Sequence, residues 1–78
     1  MNKYFFNNKD ITYLFILCVQ QTVEILAERL SRQFDEMYRV FLSSNTYKIL
    51  QRTENLLWAE GAYFIADEYQ RETGTEVT

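Results

Sequence analysis

Proline is absent from this 78-residue chain, histidine is absent, and glycine occurs twice and cysteine once. Each absence excludes something. Without proline, and with only Gly61 and Gly74 to interrupt it, almost nothing in the sequence opposes helix formation. A single cysteine, Cys18, rules out an internal disulfide framework. Lacking histidine, the chain cannot build the usual zinc sites, nor Ser-His or Cys-His nucleophilic catalysis. The two glycines stand alone, so there is no glycine-rich phosphate loop. No apolar run is long enough to cross a bilayer, whose hydrocarbon core is roughly 30 Å thick.

What is present is aromatic. Six Phe, six Tyr and Trp58 supply large buried area per residue in a chain too short to bury much else. The composition points to a single small helical domain spanning 1–78, all-α in class. The Asn-rich lead-in 1–9 and the aperiodic tail 73–78 are expected to fray. Within 1–9, the Tyr4-Phe5-Phe6 cluster also allows an arm laid on the core.

The stretch from Ile11 to Leu30 organises the rest. Asp10 is a good N-cap by residue type, and Ile11, Leu14, Phe15, Cys18, Thr22, Ile25, Leu26 and Arg29 recur at helical spacing, with Leu30 closing the stripe. The pattern predicts one long central helix over 11–30. A strand over 12–19 is the competing reading, since that run is β-branched and aromatic. Tyr13, Ile16, Leu17 and Val19 fall off the stripe, so the first half needs a second cover, for which a homodimer is the expected source. Cys18 reads as an apolar core thiol.

Three shorter helices are expected to pack on the first, over 33–42, 46–52 and 62–72. Phe34, Met37, Tyr38, Phe41 and Leu42 form the stripe of the second, with Asp35 and Arg39 as an i, i+4 pair on its other face. Ser44 or Asn45 caps the third, in which Tyr47 and Leu50 point inward. Residues 53–60 either extend that helix or leave it as an extended segment. Gly61 caps the last helix, whose inward stripe is Ala62, Ile65, Ala66 and Tyr69, and Gly74 stops it.

The run from the apolar FILC stretch through Tyr47-Lys48-Ile49-Leu50, Trp58, Glu60-Gly61 and Tyr63 to Glu68 resembles small uncharacterised bacterial all-helical families encoded beside predicted ADP-ribosyltransferase-like toxins. The likeness covers about residues 11–70, and Ala62 stands where such relatives often carry proline. It implies an antitoxin-like or accessory protein that works by binding an operon neighbour, and it brings no catalytic residues.

No enzyme chemistry, cofactor or metal is expected. Glu60, Asp67, Glu68 and Glu72 cluster in the last quarter, but an acidic run of this kind reads as a solvated face. The aromatic excess points to a protein-interaction module. Trp58, Tyr63 and Phe64, rimmed by Glu60 and Glu68, are the expected partner-binding residues. The alternative is a helix-turn-helix DNA-binding regulator in which Thr46, Tyr47, Lys48 and Arg52 face the duplex. Against it stand a net charge of −3 and a sequence pI near 4.8, so nucleic acid is not the expected partner. No membrane association is expected. Lys3 and Lys9 before an apolar run suggest a leader, but Asp10 and the missing small-residue cleavage site oppose one, so the expected location is the cytoplasm.

Overall fold

The computed structural model describes residues 3–75, and the chain they form is mainly helical. It is not all-α. Strands β1 (Phe5–Phe6) and β2 (Lys9–Asp10) pair antiparallel, with Phe5 opposite Asp10 and Phe6 opposite Lys9. Asn7 and Asn8 link them at φ 51° and 65°. Two central residues at positive φ are the requirement of a type I′ turn, and asparagine tolerates that region better than most residues. Of the two readings of 1–9, residues 3–9 take the form of the arm laid on the core, and they are pinned to the rest of the chain. Tyr4 N–H donates to Thr12 Oγ1 at 2.8 Å, and Tyr4 C=O accepts from Ile11 N–H at 2.8 Å. Thr53 Oγ1 donates to the Phe5 carbonyl at 2.6 Å. Residues 1–2 and 76–78 lie outside the described residues.

Helix α1 (Thr12–Arg29) is the long helix expected from the sequence, one residue shorter at each end. Asp10 does not occupy its N-cap, because the hairpin holds that residue in β2. Ile11 takes the cap position, and Asp10 Oδ1 accepts from Thr12 N–H at 2.9 Å. The buried face runs through Phe15, Cys18, Val19, Thr22, Val23 and Leu26. It is rotated from the expected stripe: Leu14 is 53 % exposed, while Val23 is fully buried. Helices α2 and α4 both pack on α1, and the rotated face serves them together. Cys18 is the core thiol expected. Burial raises its pKa, a hydrogen bond with Thr22 offsets that in part, and its Sγ lies 3.6 Å from the Trp58 carbonyl.

The end of α1 closes with a Schellman motif. Arg32 N–H donates to Ala27 C=O at 2.9 Å and Ser31 N–H to Glu28 C=O at 3.4 Å, with Ser31 at φ 54°. Glycine is the usual residue there, and a serine Cβ makes the left-handed conformation costly.

Helix α2 (Phe34–Leu42) buries Met37 and Phe41 completely but leaves Phe34 and Tyr38 exposed, which corrects the five-residue stripe. Its ion pair is Arg32–Glu36 at 2.9 Å, rather than Asp35–Arg39. Helix α3 (Asn45–Leu50) is capped by Ser44, whose Oγ accepts from Tyr47 N–H at 3.0 Å. Residues 53–60 are neither a helix extension nor an extended strand. They form two 3-10 turns, Thr53–Asn55 and Leu57–Ala59, joined at Leu56 in the left-handed region. Helix α4 (Ala62–Thr73) begins at Gly61, whose φ 98° and ψ 161° belong to a region essentially reserved for glycine. Ile65, Ala66 and Tyr69 are buried as expected, and Gln70 joins them. The helix runs to Thr73, Gly74 takes the left-handed cap, and Thr75 N–H returns to the Gln70 carbonyl at 2.9 Å.

The core is strung on ring contacts. Tyr4 stacks on Phe15 with centroids 3.8 Å apart, and Phe15 meets Tyr47 at 6.2 Å. Tyr47 meets Phe41 at 5.8 Å, and Phe41 meets Tyr69 at 5.7 Å. Phe15→Ala removes one link of that chain and should cost about 3–5 kcal/mol, abolishing cooperative urea unfolding in a domain this small. Ser31→Gly should act oppositely, raising stability by about 1 kcal/mol in the same measurement, because glycine relieves the left-handed cap.

Candidate functional site

The five expected partner-binding residues are spread over different environments. Trp58 is half-buried in the second 3-10 turn. Its Nε1–H donates to Thr53 C=O at 2.8 Å and its ring meets Phe6 edge-on at 5.7 Å. That indole packs on the core and fixes the hairpin to the turn region. Tyr63 and Phe64 sit in the first turn of α4 and are open to solvent, Tyr63 at 68 %. The Arg29 guanidinium stands 5.8 Å from the Tyr63 ring centroid, a cation–π contact across α1 and α4. Glu60 is exposed, and Glu68 pairs with Arg71 on its own helix.

The other acids of this quarter fasten helices together. Arg29 Nη1 donates to Asp67 Oδ1 at 2.7 Å and to Gln70 Oε1 at 2.9 Å. Glu72 reaches from α4 to the start of α3. Its carboxylate accepts from Asn45 N–H at 3.0 Å, from Thr46 N–H at 2.8 Å and from Thr46 Oγ1 at 2.7 Å. It thus serves as a cap supplied by another helix, at the positive end of the α3 dipole. Its partial burial alone would raise the pKa. The Thr46 hydroxyl, the two N–H groups and the charge of Lys48 outweigh that and hold it below the usual carboxylate value. No group of three or more metal-ligating side chains occurs among the described residues.

The same geometry bears on DNA. Helix α3 has six residues, Thr46 is buried, and Tyr47 packs between Phe15 and Phe41. A carboxylate occupies the helix N-terminus, where a recognition helix would approach a phosphate.

Sequence reasoning missed a groove of about 290 Å³ between the hairpin, α1, α2 and α3. It is lined by Tyr4, Phe15, Ile16, Val19, Tyr38, Tyr47 and Gln51. Gln51 Nε2 donates to the Tyr4 hydroxyl at 3.2 Å. Burial, and then the neighbouring Tyr4 hydroxyl, push the Tyr47 phenol well above its ordinary pKa. The Asn7-Asn8 turn is the local signal that folds Tyr4 back onto Phe15. Nothing local to Tyr38 marks it as a groove residue, because its spacing fits a core stripe equally well.

Among the described residues, no helix is long and apolar enough to cross a membrane. Comparison of the chain with protein-family models, curated proteins and solved structures yields no match.

The Glu72 cap sets a pH dependence. A carboxylate with a depressed folded-state pKa stabilises the fold above its unfolded value, and that contribution is lost as the pH falls toward the folded value. Because this carboxylate is largely solvent-exposed, Glu72→Gln should cost only about 0.5–1 kcal/mol at pH 7. In urea melts of both proteins, the gap should narrow steadily below the ordinary Glu pKa of about 4.3. A gap independent of pH would assign the loss to packing instead.

Proposed function

We propose that this chain is a non-enzymatic protein-interaction module of the cytoplasm, docking a protein partner on apolar surface that its own helices leave uncovered. The observation that carries this is the outer face of α1. Phe15 is buried, while Tyr13 is 75 % and Ile16 41 % exposed, one turn apart on the same side. Ile16 and Tyr38 line one groove, and Tyr38 lies against Phe34 with ring centroids 5.9 Å apart. The exposed residues of α1 and α2 therefore join into a single patch. Contiguous apolar surface rich in Tyr and Phe is the kind that associates.

Without another partner, a second copy of the chain is the proposed occupant. The antitoxin-like role, in which an operon neighbour takes that place, rests on the sequence resemblance. Tyr63 and Phe64, with Glu60 and Glu68 beside them in sequence, form a smaller second patch for such a neighbour, and Trp58 contributes to it only through the fold. The buried Thr46 and the carboxylate at the start of α3 weigh against duplex DNA as the partner.

Sedimentation at micromolar concentration tests this directly. The parent should run as a dimer of the 9.4 kDa chain. A Tyr13→Ser/Ile16→Ser variant should run as a monomer that melts within a few degrees of the parent, both residues being exposed. A parent that is monomeric, and that co-purifies with no genomic neighbour when they are expressed together, contradicts the proposal.

A further inference from the structure

We propose that the groove between the hairpin, α1, α2 and α3 is an aromatic cage that binds a methylated ammonium group, the chemistry shared by choline and by a methylated lysine side chain. Three phenol rings, Tyr4, Tyr38 and Tyr47, line it together with Phe15, Ile16 and Val19. Their mutual closeness is fixed rather than incidental. Tyr4 lies flat on Phe15 with an interplanar angle of 18°, Tyr47 is tilted 52° to Phe15, and Gln51 holds the Tyr4 hydroxyl. Tyr4 and Tyr47 are thus inclined differently to Phe15, and Tyr38 borders the same space from α2. Aromatic faces carry negative potential, and several rings converging on one volume attract a weakly hydrated cation.

The lining also discriminates among ligand classes. It contains no Lys or Arg, so an anion finds no partner there and a cation meets no like charge. It contains no Asp or Glu either, so a compact, strongly hydrated ammonium meets no counter-charge there for the water it would lose. A methylated ammonium has methyl groups for the apolar lining and diffuse charge for the rings. The net charge of −3 adds a long-range bias toward cations. A volume of about 290 Å³ lies at the lower end of ligand pockets, which suits a small head group rather than a whole drug-sized molecule. The cage does not rest on the partner-docking proposal, although Ile16 and Tyr38 belong to both surfaces.

The test is a titration of the isotopically labelled full chain with choline, tetramethylammonium and 3,3-dimethyl-1-butanol, the uncharged isostere of choline, following the resonances of Tyr4, Tyr38 and Tyr47. Both cations should give saturable shifts at these residues, and the neutral isostere should bind about tenfold more weakly. Tyr38→Leu should weaken choline binding about fivefold with an unchanged melt, since this ring is partly exposed, and Tyr38→Phe should restore it. A trimethyllysine peptide binding more tightly than choline would assign the cage to a modified protein, and equal or weaker binding would assign it to a free small molecule. Failure of both cations to saturate, or equal binding of the neutral isostere, overturns the proposal.

Discussion

The ring contacts running from Tyr4 through Phe15, Tyr47 and Phe41 to Tyr69 are the interaction on which the rest of the fold depends. They connect, in order, the hairpin, α1, α3, α2 and α4, so each helix touches the same continuous aromatic core. A domain of this length has little surface to bury and no disulfide to constrain its unfolded state. Large rings answer that shortage, since each such pair adds about 0.5–1.5 kcal/mol beyond the area it buries. The same choice generates the groove. Where the chain of contacts reaches the surface at Tyr4 and Tyr47, the groove lies beside it, lined by these two rings together with Tyr38.

Polar groups then lock what the rings align. Arg29 joins α1 to Asp67 and Gln70 on α4, and Glu72 joins α4 to the first turn of α3. The acidic last quarter is thereby largely explained by the fold: Asp67, Glu68 and Glu72 each have a partner within the chain. What the fold leaves unexplained is apolar. Tyr13, Ile16, Phe34, Tyr38, Tyr63 and Phe64 are exposed, with Tyr63 meeting the Arg29 guanidinium across to α1, and they carry the proposed interaction chemistry.

Helical periodicity made the four helices legible within a residue or two of their ends; the Gly61 and Gly74 caps were readable from residue type, which left the third helix's cap open between Ser44 and Asn45. The rotation of α1 was not. Leu14 and Val23 differ little in hydrophobicity, and which of them faces inward depends on where α2 and α4 sit around the helix. The hairpin was hidden because its strands are two residues long, too short for alternation to show, although Asn7-Asn8 is a turn signal by chemistry. Leu56 at φ 58° was equally hidden, since a bulky side chain in the left-handed region is set by tertiary contacts and not by propensity. Of the expected partner residues, Tyr63 and Phe64 are exposed as the helical stripe required. Trp58 is tied inward by a hydrogen bond to Thr53 that no spacing rule reveals.

Amide hydrogen exchange under native conditions tests the central role of the aromatic chain most directly. If one set of ring contacts unites the elements, the slowest amides of α1, α2 and α4, such as those of Val23, Phe41 and Ile65, should open only with global unfolding and share one free energy. Should Phe41 or Ile65 exchange through separate openings well below the free energy measured at Val23, the helices are not coupled through the rings and the account fails.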